Sequence, residues 1–266
     1  MSSSKRILIC SFIAAAVLIA ATASHAQSPF DGTWKTDLSK TKFAPKPYVF
    51  YISQGWYHCV SCDPAFDIPA DGQDHAVSGQ PYDTLSVTIV DPHTISVVAK
   101  KGSTVTSEQT RTVSADGKTL TVKSTGHPQS GGAATNFVTT GKRSGIAPSG
   151  VHATSGEWII QQQTGSSNAL LTTYKTSGDQ ITMTSPTGET YTAKFDGNDY
   201  PYRGAYAYDA VSLKKINDHS FEELDKRAGA VIDDSTLTVS PNGKTMTVVD
   251  TSKPSGRVDT FVATKQ

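Results

Sequence analysis

Two cysteines separated by two residues, Cys59-Val-Ser-Cys62, are the most chemically suggestive spacing in the chain. Four chemistries use it. A redox pair needs the motif at a helix N-terminus, where the dipole lowers the thiol pKa; here Pro64 and Pro69 follow, and no helical periodicity does. Haem attachment needs a histidine directly after the second cysteine, and Asp63 stands there. Zinc needs two further ligands, for which His58, His75, Asp63 and Asp67 are the nearby candidates, with no second Cys-x-x-Cys or His pair. A structural disulfide needs only an oxidising compartment, and it is the favoured reading for Cys59 and Cys62.

Two aromatic clusters could bind a small molecule. "YVFYISQGWY" sets Tyr48, Phe50, Trp56 and Tyr57 beside the cysteines, and "DYPYRGAYAYD" sets Tyr200, Tyr202, Tyr206 and Tyr208 in pairs around Arg203. Tyrosines at alternate positions of a strand share one face, which is flat and apolar with a polar rim. Such a face suits a lipid tail, an aromatic metabolite or a sugar ring, or else forms barrel core. Arg203 could hold a ligand carboxylate, stack on the tyrosines or pair with Asp199. Glu222, Glu223 and Asp225 read as a hydrated strand face, and His93 and His219 as exposed turn residues. No hydrolase elbow, zinc-protease helix, phosphate-binding loop or dinucleotide fingerprint is present. The reading leans away from an enzyme and calls for no cofactor and no metal.

The ends place these residues in a compartment. Lys5 and Arg6 precede the apolar run "ILICSFIAAAVLIAATA" and the small residues of "SHA". That order describes a secretory signal peptide over residues 1–26, cut after Ala26, and an exported product, periplasmic or extracellular. Cys10, the third of three cysteines, falls inside the leader. Beyond it no stretch is apolar enough to be a membrane span. Removing the leader lowers the 24 basic residues to 22 against 24 acidic ones, so nucleic acid is not an expected partner.

The elements that must position these residues come in two copies. "TVSADGKTLTV" (Thr112 to Val122) and "TVSPNGKTMTV" (Thr238 to Val248) agree at eight of eleven positions, 126 residues apart. "DPHTI" at Asp91 and "NDHSF" at Asn217 share that offset, as Trp34 and Trp158 nearly do at 124. Repeated order at nearly constant offset implies a duplication. Residues 141–155, rich in Gly, Ser and Pro, read as a linker between a first repeat over 27–140 and a second over 156–266. Each repeat consists of short β-branched runs broken by Gly, Asp, Asn or Pro. "SFEELDKRAG" has a helix-capping pattern, Ser220 to Glu223, but its repeat partner "TISVVAKKG" reads as a strand, which favours strand for both. Roughly eight or nine strands per repeat in sequential order imply an all-β fold of two antiparallel meanders, each closing into a barrel.

The mature chain opens "FDGTWKTD", and Gly32-Thr33-Trp34 resembles the Gly-x-Trp element on the first strand of lipocalins and related calycin-type barrels. Gly156-Glu157-Trp158 repeats it, and basic residues close each half (Lys142 and Arg143; Lys265). The chain is similar in this to secreted bacterial proteins of unassigned function that begin with Gly-Thr-Trp. The resemblance implies tandem lipocalin-like barrels in which Trp34 and Trp158 pack as structure across one barrel end. The helix that ordinarily follows the last lipocalin strand has no candidate, which leaves β-sandwiches or one fused barrel open. The expected function is a binding module for a small, partly apolar ligand, with Trp56, Tyr57, Tyr200, Tyr202, Arg203, Tyr206 and Tyr208 as candidate contacts. The competing readings are an envelope interaction protein without a pocket, and a redox or metal protein using the Cys59–Cys62 loop.

Overall fold

A computed structural model describes residues 28–146 and 149–266; the expected signal peptide lies outside the described residues. The strands in chain order are β1 (Gly32–Thr36), β2 (Tyr48–Ser53), β3 (Trp56–Cys59), β4 (Phe66–Pro69), β5 (His75–Ala76) and β6 (Thr84–Asp91). β7 (Thr94–Lys101), β8 (Thr104–Val113), β9 (Thr119–Gly126), β10 (Thr135–Ser144) and β11 (Gly156–Gly165) follow. The second repeat adds β12 (Leu171–Ser177), β13 (Gln180–Thr184), β14 (Thr190–Lys194), β15 (Asp196–Pro201) and β16 (Ala210–Asn217). It ends with β17 (Ser220–Arg227), β18 (Ala230–Val239), β19 (Thr245–Ser252) and β20 (Arg257–Lys265).

These strands form two antiparallel sheets of ten, each curled into a nearly closed barrel. The expected eight or nine strands per repeat is an undercount, because the short β4, β5 and β15 carry little alternation. The capping pattern at Ser220 does not start a helix; β17 runs straight through it. Alternation explains why: Phe221 and Glu223 are buried, and Glu222 and Leu224 are less so. The closure is local in both barrels. Thr190 and Arg203 exchange backbone hydrogen bonds of 2.9 Å across the seam of the second. In the first, Asp71 bridges Thr88, and Gly72 donates to the Val87 carbonyl at 2.9 Å.

The strand pairing divides the chain differently from the repeat. β11, which opens the second repeat, lies between β2 and β10 in the first barrel. β1, which opens the first repeat, lies between β12 and β20 in the second. Each repeat has lent its Gly-x-Trp strand to the other. The stretch 145–155 therefore joins neighbouring strands of one sheet, and the chain passes between barrels at 37–47 and 166–170. The first passage runs along β20, where Lys42 and Thr260 pair and Asp37 donates to Val262.

Each barrel has its own core. Phe50, Ile52, Tyr57, Val87, Ile95, Val97 and Trp158 centre the first; Phe30, Trp34, Ile181, Tyr191, Leu213, Phe221 and Leu237 centre the second. The glycine before each tryptophan has a reason at Gly32. Its φ is +123°, and a Cβ there would sit 3.1 Å from the Lys265 side chain, which crosses this point to reach Trp34.

Candidate ligand-binding cavity

The inner wall of the second barrel carries a row of carboxyl groups. On β17, Phe221, Glu223 and Asp225 alternate onto the inner face. Glu223 pairs with Ser235 of β18, and Asp225 with Asp233. Ser235 pairs in turn with Asp250 of β19, and its hydroxyl donates to that carboxylate at 2.8 Å. Residues directly opposite one another in a sheet share a face, so Glu223, Asp225, Asp233 and Asp250 all line one interior. The expected hydrated face holds for Glu222 alone of the three carboxylates assigned to it, since Glu223 and Asp225 point inward.

Burial is the largest influence on these groups. It lifts Glu223 to about 7 against a hydrogen bond from Tyr191 that pulls the other way. It lifts Asp225 to about 9, helped by Glu223, Asp233 and Asp250. Asp250 rises to about 6, again by burial first, with the Ser235 bond opposing. Among the described residues no lysine or arginine forms an ion pair with Glu223, Asp225 or Asp250. Near neutral pH the interior therefore holds protons that such carboxyls would lose in water.

Two cavities meet at Glu223. One, of about 210 Å³, has apolar walls from Trp34, Leu237, Met246, Val248 and Phe261. The other, of about 370 Å³, is bordered by Met183, Ser185, Thr187, Glu189 and Tyr202. Both are lined by Thr172, Tyr174 and Glu223. The larger one shares Thr135, Glu189 and Tyr202 with a cleft of about 330 Å³ between the barrels. Tyr202, Tyr206 and Tyr208 line that cleft on one side, and Thr106, His127 and Pro128 on the other. Tyrosine rings step along the way, Tyr191 to Tyr202 at 5.6 Å and Tyr202 to Tyr208 at 5.4 Å between centroids. At the cleft, Gly204 (φ +80°) brings the chain so close to the Gly188 carbonyl that a Cβ would lie 2.2 Å from it.

The first barrel has the opposite interior. Arg111 is 6% exposed, with its guanidinium carbon 5.0 Å from the centre of the Phe50 ring and 5.5 Å from that of Tyr48. It donates to Gln109 Oε1 at 3.0 and 2.8 Å and to the Tyr57 hydroxyl at 3.1 Å. No carboxylate is among these partners. The repeat offset of 126 places Arg111 at Leu237, Gln109 at Ser235, Val97 at Glu223 and Ala99 at Asp225. The two copies share a strand register and differ in the ionisable groups they bury, a guanidinium in the first and carboxyl groups in the second.

The predicted contacts separate on this frame. Tyr202, Tyr206 and Tyr208 line the cleft together. The Tyr208 hydroxyl bonds to Asp233. Tyr200 packs on the second core, and its hydroxyl donates to Asp196 at 2.9 Å. Arg203 is exposed, and Asp199 pairs with Lys226 instead. Tyr57 is buried beneath Arg111, while Trp56, one residue earlier on the strand, is 46% exposed on the outer face. Cys59 and Cys62 lie at disulfide distance, with Cα atoms 5.4 Å apart. His58 meets Asp67 at 2.7 Å and His75 meets Asp71 at 2.8 Å, so each candidate histidine faces a different carboxylate. Among the described residues no three His, Cys, Asp or Glu side chains converge as a metal site would need. The sequence reading missed the Glu223–Asp225 pair. The signal that could have found it is the repeat, which aligns both with apolar core residues of a strand.

Among the described residues no helix is long and apolar enough to cross a membrane. No family model, no curated protein and no solved structure matches this chain.

Proposed function

We propose that the chain is an exported, non-enzymatic carrier of lipocalin-like type, and that its second barrel holds a small, partly apolar ligand. The carrying observation is a row of three cavities with shared walls, from the Trp34 end of the second barrel, past Glu223, to the tyrosine-lined cleft. Ligand sites are typically concave, with apolar walls and a few convergent polar groups; here the apolar walls are at Trp34 and at the tyrosine cleft, and the polar groups converge in the cavity between them. The first barrel, plugged by Arg111 and its aromatic neighbours, acts as the support.

Native mass spectrometry of the mature chain from an exporting host tests the reading, with the denatured mass measured in the same run. A single discrete excess is expected, together with a change in Trp34 emission when a bound small molecule is stripped. A native mass equal to the chain, with emission unmoved by a metabolite extract, would overturn it.

A second reading has one observation in its favour. Trp56 and Val60, 46% and 54% exposed, flank Cys59 on the outer surface, and exposed apolar groups of this kind can mark a protein partner. Pull-down from envelope extract that is lost in Trp56→Ser would favour it, and capture unaffected by that change would count against it.

A further inference from the structure

We infer that the ligand of the second barrel is a small organic cation, an amine or guanidine with an apolar body, whose charged head sits against Glu223. The inference rests on the carrier reading above and specifies its ligand.

The site is a cavity rather than a surface acidic cluster. Glu223 is 7% exposed, yet it lines both the 210 Å³ and the 370 Å³ cavity. Tyr191 donates to its Oε2 at 2.7 Å, and two residues further along the strand Asp225 Oδ1 is buried without a hydrogen-bond partner among the described residues. A buried carboxyl oxygen without a donor is a costly arrangement unless something supplies one. A donor group on a ligand would do so.

The sign of that ligand follows from the surroundings. From its own strand Asp225 faces the same interior, and from β18 and β19 come Asp233 and Asp250. Asp259 of β20 lies opposite Asp250 and is already bonded to Arg257 at 3.2 Å. The far wall contributes Tyr174, Tyr191, Tyr202 and Glu189. No cation from any of these elements reaches Glu223 among the described residues. An anionic ligand would set its charge against Glu223 and Asp250 as these carboxyls ionise. A cation would meet carboxyls and the faces of tyrosines, which attract positive charge. The apolar part of the ligand has its place beside Trp34, Met246 and Phe261, in the smaller cavity that opens from Glu223.

Proton linkage follows from the same geometry. Burial holds Glu223 near 7, so a cation binding its carboxylate must displace a proton over the acidic half of the neutral range.

The test is calorimetric titration of the mature protein with 2-phenylethylamine, 2-phenylethanol and 3-phenylpropionate, matched in shape but cationic, neutral and anionic. Calcium chloride is titrated alongside. The amine is expected to bind at least tenfold more tightly than the alcohol, with the propionate weakest. Glu223→Gln, which keeps the shape and an acceptor for Tyr191, should lose at least tenfold for the amine and little for the alcohol. In wild-type protein, amine affinity should rise from pH 5 to pH 8, and the heat should depend on the ionisation enthalpy of the buffer as a proton leaves. That readout stands if Glu223→Gln fails to fold. Equal binding of amine and alcohol would overturn the cationic reading and leave the carrier reading intact. Glu223-dependent binding of calcium without the amine would also overturn it. Failure of all probes, with a ligand-free native mass, would bring down the carrier reading itself.

Discussion

Trp34 lies directly across the β1–β20 pairing from Lys265, whose ammonium stands 5.0 Å from the centre of the tryptophan ring. The indole N–H donates to the Phe30 carbonyl at 2.7 Å. Trp158 repeats the arrangement in the other barrel. It lies across from Arg143, with the guanidinium carbon 4.1 Å from its ring, and donates to the Thr154 carbonyl at 2.9 Å. Both exchanged strands are thus fastened by a buried indole clamped between a backbone carbonyl and a cation.

Because β1 belongs to the second barrel, Trp34→Ala should weaken residues 171–266 although it lies in the first repeat. The cost should be about 3–5 kcal/mol, typical of truncating a large buried aromatic. Hydrogen exchange read by mass spectrometry checks this. Protection should fall across β12–β20 and persist across β6–β10, and Trp158→Ala should reverse the pattern. Loss of protection in the first repeat on removing Trp34 would contradict the exchange.

Arg111 is a buried cation whose charge is met by an amide oxygen, a phenol and aromatic faces. Arg111→Leu, which installs the residue found at the matching position 237, should cost about 1–3 kcal/mol, because Gln109 and Tyr57 lose their donor. Adding Gln109→Ser, the residue at the matching position 235, removes the stranded amide. The double variant should recover at least half of the loss. A double-mutant cycle by urea denaturation measures the coupling, and strictly additive losses would show that the two side chains act independently.

Stability of the ligand-free second barrel should fall as pH rises from about 5 to about 9. Glu223 and Asp225 have folded pKa values of about 7 and about 9, raised from 4.5 and 3.8. The folded state therefore keeps protons that the unfolded chain has released, and the stabilisation is complete below the unfolded values and lost through the folded ones. For Glu223 alone the loss is roughly 3 kcal/mol, given about 1.4 kcal/mol per pKa unit. Thermal denaturation against pH should show Tm falling over this interval and Glu223→Gln flattening the slope. A Tm that rises toward pH 9 would mean that the interior carboxyls are compensated by a charge from outside the described residues.

The sequence alone determined the all-β class and the duplication, since a two-residue alternation and a turn such as Ser240 to Lys244 are local properties of the chain. It expected the tyrosine cluster on one face of a strand, but β15 ends at Pro201, and Tyr202, Tyr206 and Tyr208 reach their common cleft from the connection to β16. It could not say which barrel each Gly-x-Trp strand would join. β1 and β11 carry the same motif and meet the same kind of neighbours, a cation from the last strand and a pleated edge from the next. Either partnering satisfies the local pattern, and the choice lies in how the 37–47 and 166–170 segments route the chain. The buried charges were partly legible. Glu223 and Asp225 stand where the repeat has Val97 and Ala99, but a carboxylate on a strand is ordinarily read as facing water. Only the curl of the sheet, which brings β12, β14 and the Tyr202 loop opposite β17, turns that face into an enclosed interior, and enclosure is what gives its carboxyls their unusual protons.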